Sequence, residues 1–240
     1  MERSTFLNQI RGGLIVSCYA AEDYNVELSS PLCVSALATA VGAGGAAAIR
    51  TNLENVHAVK EVTSLPVIGI KKITCFGDDM RITPTLAEVS ALVQAGADAV
   101  SIDGTKRPRL DDLSLSEFIS QIKERFEVIV LADTSTAEEA LAAAAAGVDG
   151  VGTTLAGYTP YSRRPGTLGG FPPAPPDYEL IAELAEQCPV PVLAEGRFWT
   201  PDQAVKALGL GAHAVVVGTA ITNPRKITER FVKTMKEQGA

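Results

Sequence analysis

Histidine is nearly missing from this chain of 240 residues: His57 and His213 are the only two. That scarcity argues against a His-rich metal centre and leaves little for a Ser-His or Cys-His nucleophile pair, so acid–base work falls to Lys, Glu or Asp. Cysteine is sparse too. Cys18, Cys33, Cys75 and Cys188 are scattered with no CxxC pair, so neither a zinc knuckle nor a disulfide framework is suggested. No apolar run reaches the roughly 18–20 residues a bilayer span requires. The opening MERSTFLNQIRGG mixes Glu2 with Arg3 and Arg11, unlike a secretory leader. The expectation is a cytoplasmic protein with no membrane attachment. A long basic run is lacking as well, and the formal net charge is −7. Phosphate-backbone affinity is built from clustered Lys and Arg, so no nucleic-acid partner is expected, although a local basic pocket is compatible with this balance.

Apolar material, by contrast, is ample: 46% of the residues are hydrophobic and 21 are glycine. Eight short runs rich in Val and Ile recur at 13–18, 46–50, 66–72, 97–103, 127–133, 148–154, 190–196 and 212–218. Their near-continuous apolarity is the pattern of parallel strands buried on both faces. Helix-length segments lie between them. Ser29-Ser30-Pro31, Thr83-Pro84-Thr85, Thr134-Ser135-Thr136 and Thr200-Pro201-Asp202 precede such segments, and glycines close them; these are start and stop signals. The repeated AGADAV, AGVDGV and LGAHAV read as a helix end, a glycine turn and a strand start. Eight such units fit a (β/α)8 TIM barrel, an α/β fold, better than an open doubly wound sheet. The expectation is one barrel domain over 1–240. One segment breaks the rhythm: 162–177 holds five prolines and three glycines and reads as a long loop at the rim of the strand C-termini.

Barrel active sites sit at the strand C-termini. In strand order the sequence delivers Ser17 and Cys18, Arg50, Lys71 and Lys72, Asp103, Asp133, Thr153 and Thr154, Glu195 with Arg197, and Gly218 with Thr219. Loops after the last two strands of many barrels cradle phosphate, and Gly196 and Gly218 suit that task, although glycines there also simply permit tight turns. Side chains alternate across a strand, so only one of Lys71 and Lys72 can enter the barrel mouth, and Lys72 is the better placed. A desolvated lysine can serve as a base or Schiff-base nucleophile; its plainer role is a solvated rim charge. Glu195 favours chemistry, because a carboxylate beside a lysine can hold a proton or orient a hydroxyl, against the alternative of an ion pair that plugs the barrel. Asp103 and Asp133 stand equally between ligand contact and helix capping.

GGLIVSC, PVIGIKK, RITPTLAEVSALVQAGAD, VGTTLAGYTPYS and AEGRFWTPDQAVKALGLGAHAVVVGTAIT together closely resemble the N-acetylmannosamine-6-phosphate 2-epimerases of sialic acid catabolism, over nearly the whole chain. The resemblance implies an isomerase that interconverts N-acetylmannosamine 6-phosphate and N-acetylglucosamine 6-phosphate by deprotonation and reprotonation at C2, with no metal or redox cofactor. It implies Lys72 as proton acceptor and donor and Glu195 as its partner at the sugar hydroxyl. Arg50, Asp133 and Arg197 would orient the sugar, and Gly196, Gly218 and Thr219 would hold the phosphate. Three departures stand out. Tyr19 replaces the family's usual glutamine, Asn223 replaces the arginine of AITRP, and the 162–177 loop is longer than usual. Arg225, Arg163 and Arg164 are the candidates to compensate at the phosphate. The departures keep two alternatives open, a different phosphorylated sugar and a non-catalytic phosphosugar binder. Apolar residues on outer barrel helices suggest a homodimer.

Overall fold

The computed structural model describes residues 1–21, 24–75, 79–164 and 174–239. Along the chain its strands are β1 (Leu14–Ser17), β2 (Ala48–Asn52), β3 (Val67–Ile70), β4 (Lys72–Cys75), β5 (Asp79–Ile82), β6 (Ala99–Asp103), β7 (Ile129–Asp133), β8 (Gly150–Gly152), β9 (Val192–Glu195) and β10 (Ala214–Val217). Eight of them close into a parallel barrel in the order β1-β10-β9-β8-β7-β6-β3-β2. β4 and β5 form a separate antiparallel hairpin. The eight expected strands are therefore the eight staves of the barrel, with helices between them.

Local signals set the helix starts. Helices α1 (Arg3–Ile10), α2 (Pro31–Ala43), α3 (Leu53–Lys60), α4 (Leu86–Gln94), α5 (Leu115–Arg125), α6 (Ala137–Ala145), α7 (Tyr178–Gln187), α8 (Pro201–Gly209), α9 (Thr219–Thr222) and α10 (Pro224–Glu237) follow in chain order. Ser30 caps α2 by accepting from the Cys33 N–H, and Thr136 caps α6 by accepting from Glu139. At α4 and α5 the cap is reciprocal: Glu88 accepts from the Thr85 N–H at 2.9 Å, and Glu117 accepts from the Ser114 N–H at 2.8 Å. Each such box satisfies two N–H groups that the first turn leaves without a helical acceptor.

Strand parity divides the core in two. Ile15, Ala48, Ile68, Ala99, Ile129, Leu131, Leu193, Ala214 and Val216 point into the barrel, whereas Val16, Ile49, Val67, Val100, Val130 and Val192 point out against the helices. Both faces are apolar, which is why the sequence runs show no clear alternation. α1 closes the bottom of the barrel with Phe6 and Ile10, both fully buried within the inner cluster. His213 fastens that plug by a 2.7 Å bond to the Leu7 carbonyl, so this histidine lies at the end opposite the strand C-termini. His57 is exposed on α3.

Strand 3 differs from its expected extent of 66–72. The barrel stave stops at Ile70, and Lys71 bonds instead to Thr83, which donates its N–H to the Lys71 carbonyl and accepts from the Lys71 N–H at 3.1 Å. The chain thus leaves the closed sheet one residue before Lys72, which opens β4 opposite Ile82. Of the expected rim loop at 162–177, residues 165–173 lie outside the described residues. Among the described residues no helix is long and apolar enough to cross a membrane.

Candidate active site

A cavity of about 330 Å³ opens at the C-terminal ends of the staves. Its floor follows from parity. One step above the apolar inner layer, the inward positions of β2, β6, β7 and β9 are Arg50, Ser101, Asp133 and Glu195. Arg50 grips Asp133 with both terminal nitrogens, at 2.6 and 3.2 Å, and also reaches Ser101 at 3.2 Å and Glu195 at 3.3 Å. Arg50 is 3% exposed and Asp133 1%. A bidentate, multiply bonded pair is what makes such burial of charge tolerable. Burial works against the Arg50 charge, but Asp133 and then Glu195 outweigh it and hold the guanidinium above its ordinary range.

Glu195 is the part of this cluster that faces the cavity. Its backbone is tied to the neighbouring stave by Thr153, whose hydroxyl donates to the Glu195 carbonyl at 2.8 Å and accepts from its N–H at 3.0 Å. Burial raises the Glu195 carboxyl, Arg50 draws it down, Asp133 pushes it up, and the Thr154 hydrogen bond and the Lys72 charge lower it; the balance lies above the usual carboxylate range. Thr154 shares in that balance. Its hydroxyl lies 2.6 Å from Asp133 and 3.0 Å from Glu195. One hydroxyl carries one proton, so it can donate to only one of the two carboxylates at a time. With the proton on the shorter bond to Asp133, a protonated Glu195 can itself donate to Thr154.

Lys72 enters the same cavity from the hairpin, with its Nζ 3.9 Å from the Tyr19 ring centroid and 6.0 Å from that of Tyr24. Lys71 turns the other way and pairs with Glu54 at the rim. Cys18, next to Tyr19, is buried, and burial pushes its thiol up to about 12; it stays protonated and is no nucleophile.

The far end of the cavity is built from Gly196, Arg197, Gly218 and Thr219. Gly196 and Arg197 have φ of +111° and +63°, a left-handed pair that lifts the chain off β9 and that Gly196 accommodates without strain. Arg197 is anchored by the carbonyls of Ala156 and Pro175, and burial lowers its pKa from the ordinary range. At Gly218 a Cβ would stand 3.2 Å from that of Ser17, so the residue type keeps the wall thin. Thr219 opens α9, where the Ile221 and Thr222 N–H groups turn to the Gly218 carbonyl and those of Thr219 and Ala220 have no helical acceptor.

Several sequence expectations change place. Arg50 and Asp133, expected to orient the sugar directly, do not line the cavity; they lie beneath it and support Glu195. Asp103 is paired with Arg107 and bonded to Thr105 rather than directed at the cavity. None of the candidate substitutes for the missing arginine is among the residues that line the cavity: Arg225 pairs with Glu27, Arg163 with Glu179 and Glu183, and Arg164 with Glu179, although the Arg164 charge is felt at Arg197. Asn223 is fully buried, caps α10 by accepting from Lys226 at 3.0 Å, and leaves its Nδ2 without a hydrogen-bond partner. Arg107, Tyr24 and Tyr158 line the cavity although strand-end reasoning missed them. The i, i+4 spacing of Asp103 and Arg107 was the available signal for one of them; Tyr158 fell inside the VGTTLAGYTPYS run that carries the family resemblance, and Tyr24 gave no signal. Among the described residues no group of three His, Cys, Asp or Glu side chains is arranged to hold a metal ion.

Comparison with known proteins agrees with this geometry. A family model described as "Putative N-acetylmannosamine-6-phosphate epimerase" matches residues 34–237. Proteins from Caldanaerobacter subterraneus subsp. tengcongensis and Cutibacterium acnes, each carrying the name "Putative N-acetylmannosamine-6-phosphate 2-epimerase", are 48% and 49% identical; the matches cover 97% and 92% of this chain and 94% and 92% of theirs. A solved structure of the N-acetylmannosamine-6-phosphate 2-epimerase from Clostridium perfringens, 40% identical, superposes with a TM-score of 0.86 over 95% of each chain.

Proposed function

The chain belongs to the N-acetylmannosamine-6-phosphate 2-epimerase family, and on that premise we propose how its residues perform the isomerisation of N-acetylmannosamine 6-phosphate to N-acetylglucosamine 6-phosphate. The reaction inverts C2, whose proton is acidified by the C1 aldehyde of the open-chain sugar. It needs a base for that proton and a stabiliser of the negative charge that develops on the enolate. Lys72, as the neutral amine, takes the C2 proton and returns one on the other face. Glu195, its carboxyl raised and backed by Thr154, is the partner of Lys72 and exchanges a proton with a sugar hydroxyl. Arg50 and Asp133 act through Glu195, holding its carboxyl in one place from beneath.

The sugar phosphate sits at Gly196, Gly218 and Thr219, where backbone N–H groups at a strand end and a helix start suit an anion. Arg197 adds positive charge at that end. The single observation that carries this reading is the entry of Lys72 and Glu195 into one cavity from different elements, above a buried Arg50–Asp133 pair. We further read the protein as one barrel domain that works in the cytoplasm without a nucleic-acid partner, and as a homodimer. Phe231, Val232 and Met235, exposed on α10, support the last point.

The test is to follow C2 by proton NMR while the protein acts on N-acetylmannosamine 6-phosphate in deuterated water. Deuterium is expected to enter C2 as the other epimer appears, and Lys72→Ala is expected to abolish both. Epimerisation by Lys72→Ala at the parental rate would remove Lys72 from the mechanism.

A further inference from the structure

Lysine is an awkward base to aim, since its four-carbon stem carries about 2 kcal/mol of rotamer entropy, and a small misplacement of a proton-transfer group costs rate steeply. Lys72 has a seat. Its Nζ lies 3.9 Å from the centroid of the Tyr19 ring, within the range in which the ring's quadrupole attracts a cation. We propose that Tyr19 is a positioning residue for Lys72, its ring face holding at the cavity the ammonium that Lys72 becomes as it takes the C2 proton, and that Tyr24 ties this seat to the phosphate end. The proposal rests on the reading of Lys72 as the group that moves the C2 proton.

The seat is rigid for reasons visible around it. Tyr19 is 7% exposed and packs with Ile70, Ile82 and Leu155, which also frame the point where the hairpin leaves the barrel. Its ring meets that of Tyr24 at a tilt of 46° and 5.8 Å between centroids. Tyr24 cannot drift, because its backbone exchanges hydrogen bonds of 2.8 and 3.1 Å with Ala21 and its hydroxyl lies 2.6 Å from Thr219 Oγ1. Asn25 adds a 3.0 Å bond from its amide to the Thr222 carbonyl. A continuous chain of contacts therefore runs from Lys72 through both rings to the first residue of α9, the end of the cavity assigned to the phosphate. Charged and titratable groups facing the same space are Glu195 from β9, Arg197 after it, Arg107 after β6, and Tyr158 after β8.

The test compares Tyr19→Phe with Tyr19→Leu in steady-state epimerisation. Phenylalanine keeps the ring face, so kcat and KM are expected within about twofold of the parent. Leucine removes it, and kcat is expected to fall about 2- to 30-fold, the range a cation–π contact is worth, with KM little changed. A second measurement needs no altered fold at Tyr19. In the parent protein the ε-methylene resonance of Lys72, identified by its absence from Lys72→Ala, is expected upfield of the lysines that face no ring, because the Lys72 Nζ lies over that of Tyr19.

An unshifted resonance would overturn the proposal. So would equal losses in Tyr19→Phe and Tyr19→Leu, which would assign the effect to the hydroxyl, or a rise in KM with kcat unchanged, which would make Tyr19 a sugar contact. If Tyr19→Leu keeps the parental kcat while Lys72→Ala is inactive, the seat alone is refuted. If Lys72→Ala is active, the reading of the base fails and the seat with it.

Discussion

Four side chains at the cavity floor share too few protons to satisfy every acceptor. Arg50 gives Asp133 two bonds and Glu195 one contact, and the single Thr154 proton cannot serve both carboxylates. The arrangement favours a proton on Glu195, as the raised carboxyl reflects. The kcat/KM profile against pH is accordingly expected to contain an ionisation above the ordinary glutamate value of about 4.3, and Glu195→Gln is expected to remove it. Stability carries the same signature. The folded state binds the Glu195 proton more tightly than the unfolded chain does, so that contribution is complete below about pH 4.3 and is lost as pH rises through the folded pKa. Urea titrations are therefore expected to show Glu195→Gln gaining on the parent over that rise, whatever the offset between them at low pH; a constant difference would contradict the raised carboxyl. Glu195 was legible in the sequence because a carboxylate ends an apolar run. Arg50 and Asp133 were legible as strand-end charges, but their depth was not, since depth depends on how far each stave is sheared against its neighbours. Tyr24 carries no such mark and reaches the site through tertiary packing alone.

At the level of elements, capping residues and glycines announced the helices well, and Ser30, Thr85 and Thr136 stand where the chain turns into α2, α4 and α6. The end of β3 was not announced. Residues 66–75 form one continuous β-prone stretch, and only the competing bonds between Lys71 and Thr83 divide it into a stave and a hairpin strand. The stave's own fit to its helix is tight: at Gly69 a Cβ would stand 2.7 Å from Leu92 Cδ2 and 3.0 Å from Ala97 Cβ. Gly69→Ala must push α4 outward, and overpacking of this kind costs about 1–3 kcal/mol. For a chain of this size that corresponds to a melting temperature lower by about 2–12 °C. Calorimetry is expected to find that loss with KM unaltered, because the added methyl faces the helix layer and not the cavity.

For the molecule as a whole, the repeat of eight units sufficed to read the barrel, whereas the plug beneath it was hidden. MERSTFLNQIRGG is short and mixed in polarity, and only the closed inner face of the staves makes Phe6 and Ile10 core residues. Phe6→Ala opens a hole at the base, at a cost of about 3–5 kcal/mol. Denaturant unfolding is expected to register that loss while epimerisation at a temperature where the protein stays folded proceeds at the parental rate; a lower rate would couple the base of the barrel to its mouth. The same division of labour applies at the mouth. The acid partner stands on a stave, where moving one strand by a residue would break hydrogen bonds on both sides and turn every side chain to the wrong face. The amine stands on a two-stranded arm that, among the described residues, forms no ladder with the staves. Its reach can be retuned, by length or by what it leans on, while the ring of staves stays whole, so evolution can resize the substrate without rebuilding the vessel.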